Sequence, residues 1–396
     1  MKWNSKGNEY ATEYVKLQSK YDKKKLFIYG AGMIGGRIAD AITRLTDWEI
    51  EGFFDLDINK TVFKEKTVQH WDAIKEAIGQ ENVLIIIGLP EDIGKQVKSK
   101  IIAECGTSEE MCVTYAQFIQ HDFPIILMYR YHKYFIDSVS MIMTEACTLR
   151  CEKCAIMLPY FKEHRTPSLE KLKGEADALF SKVDFVSNYT VTGGEPLLNK
   201  ELPDLIAYVG ENYRKKIGSF KIISNGMITP WSELLDTMQK YDVAAEISDY
   251  TVGVPRIKEQ VEVALVTYRK AGVQTYFLSS ASWVDFGFDT VDNQYTEEQL
   301  ISFFDYCHTR CRGYVDGKLR YCINAYFAAK AKEEEEDSNN AFDILSMEPT
   351  EENLRALVEY DMGYSKDGYL KMCQHCNGTI EINTHYIEVG VQCRNL

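Results

Sequence analysis

The chain has 396 residues, 45% of them apolar and 26% charged. That balance supplies apolar mass for two or three domains of about 150 residues each and excludes general disorder. The formal net charge of −14 repels phosphate backbones, which excludes nucleic-acid binding as the main function. The longest apolar runs, 83–89 and 123–129, are too short to span a bilayer. The first 25 residues lack the apolar core of a signal peptide, so a cytoplasmic chain without a membrane span is expected.

Residues 1–24 read as a polar tail or helix. At 26–29 a short apolar run predicts a buried strand, ending in Gly30-Ala31-Gly32-Met33-Ile34-Gly35. A helix follows, with Ile34, Ile38, Ala41, Ile42 and Leu45 on one face. Strands at 50–54 and 83–87 flank a helix at 72–78. This alternation predicts a parallel sheet covered by helices, a domain over residues 25–124. Gly30-x-Gly32-x-x-Gly35, with Asp55 ending the next strand, matches the Rossmann dinucleotide fingerprint. Glycines make the tight turn, a helix N-terminus takes the pyrophosphate and an acid takes the ribose. A nucleotide or NAD fits that context, and so does a Rossmann-like scaffold without cofactor.

A second βα series occupies residues 125–295. Strands are expected at 138–144, 185–192, 220–224, 244–248 and 274–278, with helices at 168–180, 201–213, 231–241 and 256–271. This is too few units for a closed eight-fold barrel, so a partial (β/α)6 barrel is expected. Residues 296–396 break into a small cysteine-punctuated module.

Nine of the eleven cysteines lie after residue 146, which in a long cytosolic chain reads as metal ligation rather than disulfides. Cys147, Cys151 and Cys154 are spaced C-x3-C-x2-C on the loop after the first barrel strand, where such folds place their chemistry. Three thiolates hold three irons of a four-iron cube and leave the fourth iron open. A structural zinc site, which closes at four ligands, fits a lone triplet poorly. Thr190-Val191-Thr192-Gly193-Gly194-Glu195-Pro196 follows one βα unit later. Two glycines there let a ligand approach the backbone, and a carboxylate can accept from an ammonium. Ser224-Asn225 and Ser248 end the next two strands, where polar side chains either bond a ribose or serve as turns and caps.

These motifs together resemble the radical S-adenosylmethionine (radical SAM) superfamily, over roughly residues 138–393. The resemblance implies a [4Fe-4S] cluster on Cys147, Cys151 and Cys154, whose open iron chelates SAM. It implies SAM contacts at Gly193, Gly194, Glu195, Pro196, Ser224, Asn225 and Ser248. It also implies a flavodoxin or ferredoxin-type reductant and a 5′-deoxyadenosyl radical that removes hydrogen from substrate carbon.

The later cysteines run Cys307-x3-Cys311, Cys322, then Cys373-x2-Cys376, with Cys393 last. Asp316-Gly317 reads as the turn of a hairpin over 314–322. The arrangement is similar to the twitch and SPASM modules of radical SAM enzymes. That implies a second, auxiliary [4Fe-4S] cluster on Cys311, Cys322, Cys373 and Cys376, with Cys307 as the alternative to Cys311. The absence of further cysteines between 376 and 393 favours the shorter, twitch type. Zinc is the competing metal for this set. His132, His164 and Arg165 flank the first cysteine loop and read as surface polar residues.

The stretch 154–160, with Ser248-Asp249-Tyr250, resembles radical SAM proteins encoded with polysaccharide biosynthesis genes. This implies oxidation or epimerisation of a sugar or nucleotide-sugar. Two other readings stand beside it: a ribosomal-peptide maturase of the SPASM type, and a non-catalytic nucleotide-binding protein with structural zinc sites.

Overall fold

The computed structural model describes residues 9–22, 24–79, 82–307, 312–363, 366–379 and 382–393. The described residues divide into two compact units, one of residues 9–137 with 183–187, the other of 138–182 with 188–393. No helix among the described residues is long and apolar enough to cross a membrane.

In the first unit α1 (Glu9–Tyr21) buries Tyr10, Leu17 and Tyr21, so residues 9–21 form a packed helix. Strands β1 (Lys25–Tyr29), β2 (Ile50–Phe54), β3 (Val62–Phe63), β4 (Lys66–Gln69), β5 (Val83–Ile87) and β6 (Cys112–Thr114) form one sheet in the order β3-β4-β2-β1-β5-β6. All its pairs are parallel except β3 with β4. Without β3 the parallel strands read 3-2-1-4-5, the Rossmann order, with the order reversing at β1. β5 is buried at all five positions, which is why its sequence is an unbroken apolar run. Helices α2 (Met33–Leu45), α3 (Trp71–Ile78) and α4 (Glu91–Cys105) make the crossovers.

The boundary expected near Pro124 lies instead at Asp137. Residues 115–131 are helical, and their aromatic side chains hold them to the first unit. Tyr21 lies 5.4 Å from Trp48 and 5.9 Å from Phe118, Phe118 lies 4.9 Å from Phe123, and Phe123 meets Phe135 edge-on at 5.6 Å. The Tyr115 hydroxyl donates to both carboxylate oxygens of Asp137 at 2.7 Å.

The second sheet runs through β7 (Phe135–Thr144), β8 (Phe185–Gly193), β9 (Ile217–Ser224), β10 (Val243–Ser248) and β11 (Thr275–Leu278). The short strands β12 (Trp283–Val284) and β16 (Tyr386–Ile387) form a separate ribbon. β13 (Arg312–Val315), β14 (Lys318–Arg320) and β15 (Ala341–Asp343) complete the sheet in the order β11-β10-β9-β8-β7-β13-β14-β15. β13 pairs in parallel with β7, so six strands, β11 to β13 in that order, make the partial barrel. Helices α5 (Leu169–Phe180), α6 (Leu202–Tyr213), α7 (Ser232–Lys240) and α8 (Lys258–Lys270) connect the strands.

The cysteine-rich C-terminal segment, expected as a module of its own from residue 296, is part of the same compact unit as the barrel. The physical reason is the sheet itself: the sixth barrel strand is the first arm of the expected hairpin. β13 and β14 pair antiparallel around Asp316 and Gly317, whose φ values are 52° and 70°. Those are the left-handed angles of a type I′ turn. Helices α9 (Glu297–Tyr306), α10 (Ile323–Ala331) and α11 (Glu351–Asp361) complete the unit.

Candidate active site

Strand β7 delivers the cysteine loop. Its end is pinned by Thr144, whose hydroxyl pairs with that of Thr166 at 2.7 Å and accepts from Ala146 N at 3.1 Å. The buried Glu145 carboxylate accepts from Arg165 N at 2.8 Å and pairs with Lys330 of α10. Two tight turns then fold the loop, through Cys154 N to Cys151 O at 3.1 Å and Met157 N to Cys154 O at 2.8 Å.

Gly193 and Gly194 run beside this loop. Gly194 N donates to Thr144 O at 2.7 Å and Glu195 N to Ala146 O at 2.8 Å. A Cβ at Gly193 would lie 2.2 Å from Thr144 O, and one at Gly194 would lie 2.1 Å from Ala146 O. The glycines therefore serve the approach of two backbones.

Cys147, Cys151 and Cys154 open onto one cavity of about 660 Å³. Of the residues implied for SAM, Gly193, Gly194, Asn225 and Ser248 also line it. Glu195, Pro196 and Ser224 do not, and they build the wall from behind. The Glu195 carboxylate accepts from Ser224 Oγ at 3.0 and 3.1 Å, Asn225 N at 2.8 Å and Leu197 N at 3.1 Å. It is fully buried, and that burial pushes it up to about 7 against these hydrogen bonds. Asn225, held by that carboxylate, reaches Thr148 Oγ1 at 2.9 Å and Cys147 Sγ at 3.7 Å.

Burial pushes the Cys147 thiol up to about 11 and Cys151 to about 12, and it raises Cys154. Thiolates there need positive charge beside them, which iron supplies. N–H donors already face the sulfurs. Leu149 N lies 3.5 Å from Cys147 Sγ, Gln392 Nε2 lies 3.2 Å from Cys151 Sγ, and backbone groups of Ile156, Met157 and Leu158 bond Cys154. This donor set fits a cluster bound through its three thiolates.

The cavity's other wall is aromatic: Tyr250, Trp283, Phe286 and Tyr386. Sequence reasoning missed Trp283, Phe286 and Tyr386. Trp283 pairs with Ile387, and Val284 with Tyr386, in a two-residue antiparallel ribbon that leaves no periodic signal. Lys153 also lines the cavity and is held by Asp285 at 3.1 Å and Asp289 at 3.0 Å.

The second cysteine set gathers around α10. Cys322 caps its N-terminus, the sulfur accepting from Ala325 N at 3.4 Å. Cys376 Sγ accepts from Gly378 N at 3.2 Å. Asn293 Nδ2 clamps the C-x2-C knuckle through the carbonyls of Cys373 at 3.2 Å and Cys376 at 2.9 Å. Burial and then the charge of Cys307 raise the Cys322 thiol, and burial with the charges of Cys322 and Cys307 raises Cys373 and Cys376. Cys311 lies outside the described residues. Cys322, Cys373 and Cys376 share one apolar cluster with Cys147 and Cys154. Among the described residues no three His, Cys, Asp or Glu side chains are close enough to hold a single metal ion.

In the first unit Gly30 and Gly35 are packing glycines. A Cβ on Gly35 would lie 1.9 Å from Gly30 O, and one on Gly30 would lie 2.8 Å from Gly88 O, whereas Gly32 faces open space. The Asp55 carboxylate, expected at a ribose, accepts from Ala31 N at 2.8 Å and Asp57 N at 2.9 Å and pairs with Lys60 at 3.2 Å. It closes the glycine loop from within. His132 ends the 115–131 helical segment with a left-handed φ of 50°. His164 Nε2 meets Leu158 O at 3.0 Å.

Residues 141–276 match the family model described as the radical SAM superfamily. The chain carries a radical SAM domain. Similar solved structures include native anSMEcpe with bound AdoMet, 18% identical over 37% of this chain and 44% of that one, with a TM-score of 0.32. Streptococcus suis SuiB bound to S-adenosylmethionine is 14% identical over 56% of this chain and 51% of that one, at 0.30. BtrN in complex with AdoMet and 2-DOIA is 14% identical over 64% of this chain and 100% of that one, at 0.36. The matched part thus spans 44% of the length of anSMEcpe. No curated protein matches the chain.

Proposed function

We propose that this chain is a radical SAM enzyme that removes hydrogen from a carbohydrate or nucleotide-sugar-type substrate, giving oxidation or epimerisation. The observation that carries the reading is the meeting of three cysteines with Gly193, Gly194, Asn225 and Ser248 around one cavity. When bound there, a four-iron cluster with SAM supplies a 5′-deoxyadenosyl radical for hydrogen abstraction.

The chain's own residues do the rest. Cys147, Cys151 and Cys154 hold three irons. Gly194 keeps the β8 turn against the cysteine loop, and Asn225 ties that loop through Thr148. Gly193, Gly194, Asn225 and Ser248 are the SAM contacts that cavity lining supports. Tyr250, Trp283, Phe286 and Tyr386 exclude water and offer flat faces to the C–H side of a sugar ring or to a base.

The second cysteine set holds an auxiliary four-iron cluster, with Cys311, Cys322, Cys373 and Cys376 as its ligands and Cys307 as the alternative to Cys311. In an oxidation the first electron would leave the substrate with the abstracted hydrogen atom and such a cluster would accept the second, while a flavodoxin or ferredoxin-type protein would supply the separate electron that cleaves SAM. The Rossmann-like unit serves as a scaffold or a nucleotide site of the same cytoplasmic enzyme.

The test is 5′-deoxyadenosine release by anaerobically reconstituted protein offered sugars, nucleotide-sugars and peptides. Release stimulated by a sugar or nucleotide-sugar is expected. Stimulation by peptides alone would contradict the substrate class, and no SAM cleavage under any condition would contradict the radical reading.

A further inference from the structure

The C-terminal segment is laced onto the cysteine loop, 241 residues away in sequence. Glu152 N donates to Val391 O at 2.7 Å and Cys393 N donates to Arg150 O at 2.8 Å. Cys151 and Gln392 form an antiparallel bridge between these bonds. The segment is also pressed from its other side, since a Cβ on Gly253 would lie 1.6 Å from Val389 O.

Inside this seam the Gln392 side chain turns toward the cysteines. Its Oε1 accepts from Arg150 N at 2.8 Å. Its Nε2 donates to Gly390 O at 2.6 Å and to Cys151 Sγ at 3.2 Å. The backbone partners decide which end of the amide is which. Arg150 N requires an acceptor and Gly390 O requires a donor, so the end facing the sulfur is the N–H. Cys151 is the most buried of the three cysteines, 7% exposed, so little water competes for that sulfur.

An N–H aimed at a thiolate ligand stabilises the more negative, reduced state of the iron it binds, and hydrogen bonds to sulfur are among the terms that set cluster potentials. We propose that Gln392 is a positioning residue for electron entry, raising the reduction potential of the cluster on Cys147, Cys151 and Cys154 through its amide on Cys151 Sγ. The proposal rests on the reading that those three cysteines carry a four-iron cluster. It makes the C-terminal segment part of the redox site and gives it a function separate from its packing.

The experiment is an anaerobic redox titration of the full-length reconstituted protein, followed by electron paramagnetic resonance, with SAM added to identify the cluster whose signal responds to it. Iron is counted in the same samples. Two variants divide the two roles of the side chain. Gln392→Glu keeps the acceptor for Arg150 N and loses the donor to sulfur. Gln392→Leu loses both and adds no charge.

Both variants are expected to retain the iron of the SAM-responsive cluster and to shift its midpoint to more negative potential. At the potential that half-reduces the wild-type cluster, the reduced-to-oxidised ratio falls about ten-fold, equivalent to 59 mV for one electron. An unshifted midpoint in Gln392→Leu with iron intact would overturn the proposal. So would loss of iron in Gln392→Leu together with an unshifted midpoint in Gln392→Glu, since that makes the side chain only a strut. Absence of any SAM-responsive cluster from the wild-type protein would overturn the cluster reading beneath it, an outcome separable from the first two by the iron count.

Discussion

At Gly194 an added Cβ would meet Ala146 O at 2.1 Å and Cys147 Cβ at 3.1 Å. Both contacts are on the cysteine loop, and backbone cannot yield as the tip of a side chain does. Gly194→Ala is therefore expected to displace the loop and lose about four irons per chain while the second set keeps its own, read by iron assay on reconstituted protein. A full iron complement in this variant would contradict the packing argument. Glu175 shows a different residue-scale effect. It is 3% exposed and has Lys171 Nζ only at 4.0 Å. Burial pushes it up from 4.5 to about 7. Below pH 4.5 the acid is protonated in both folded and unfolded chains and has no effect on stability. Between pH 4.5 and 7 the unfolded chain ionises more readily, so stability falls. Above pH 7 the loss levels off, at no more than about 3 kcal/mol. Glu175→Gln removes this loss, so its Tm advantage over the wild type should widen from pH 5 to pH 8. A gap that does not change with pH would contradict the assignment.

The hairpin of β13 and β14 depends on a turn that few residues tolerate. Gly317 has φ of 70°, and a Cβ there would lie 2.5 Å from Leu345 Cβ. Gly317→Ala is expected to cost about 1–2 kcal/mol in urea unfolding, from backbone strain and crowding together. An unchanged midpoint would contradict the turn assignment. This turn was legible in the sequence because Asp-Gly between two short strands is a local signal. The β7–cysteine loop and the β8–glycine turn were legible for the same reason, each motif being contiguous with the strand that positions it. Other features were not. Trp283 and Tyr386 sit on paired strands of two residues each, too short for any alternation to register. Gln392 reaches Cys151 by a seam that no helical or strand period announces. The apolar run at 123–129 carries no sign of the unit it belongs to. Only the packing of Phe118, Phe123 and Phe135 assigns that run to the first unit. Glu195 was expected at the ligand, and its burial behind Ser224 and Asn225 reflects donors that converge only after β8 and β9 are side by side.

Across the whole molecule, a Rossmann-ordered sheet and a six-stranded partial barrel are built from one acidic chain, and the barrel unit holds nine of the eleven cysteines. We propose that these cysteines form two iron sites of different kind, one open to SAM and one closed. The most direct test is to count iron and sulfide per chain after anaerobic reconstitution, in the wild type and in a variant with Cys147, Cys151 and Cys154 all changed to Ala. About eight irons are expected in the wild type and about four in the variant. Equal iron in the two proteins, or almost none in either, would contradict it.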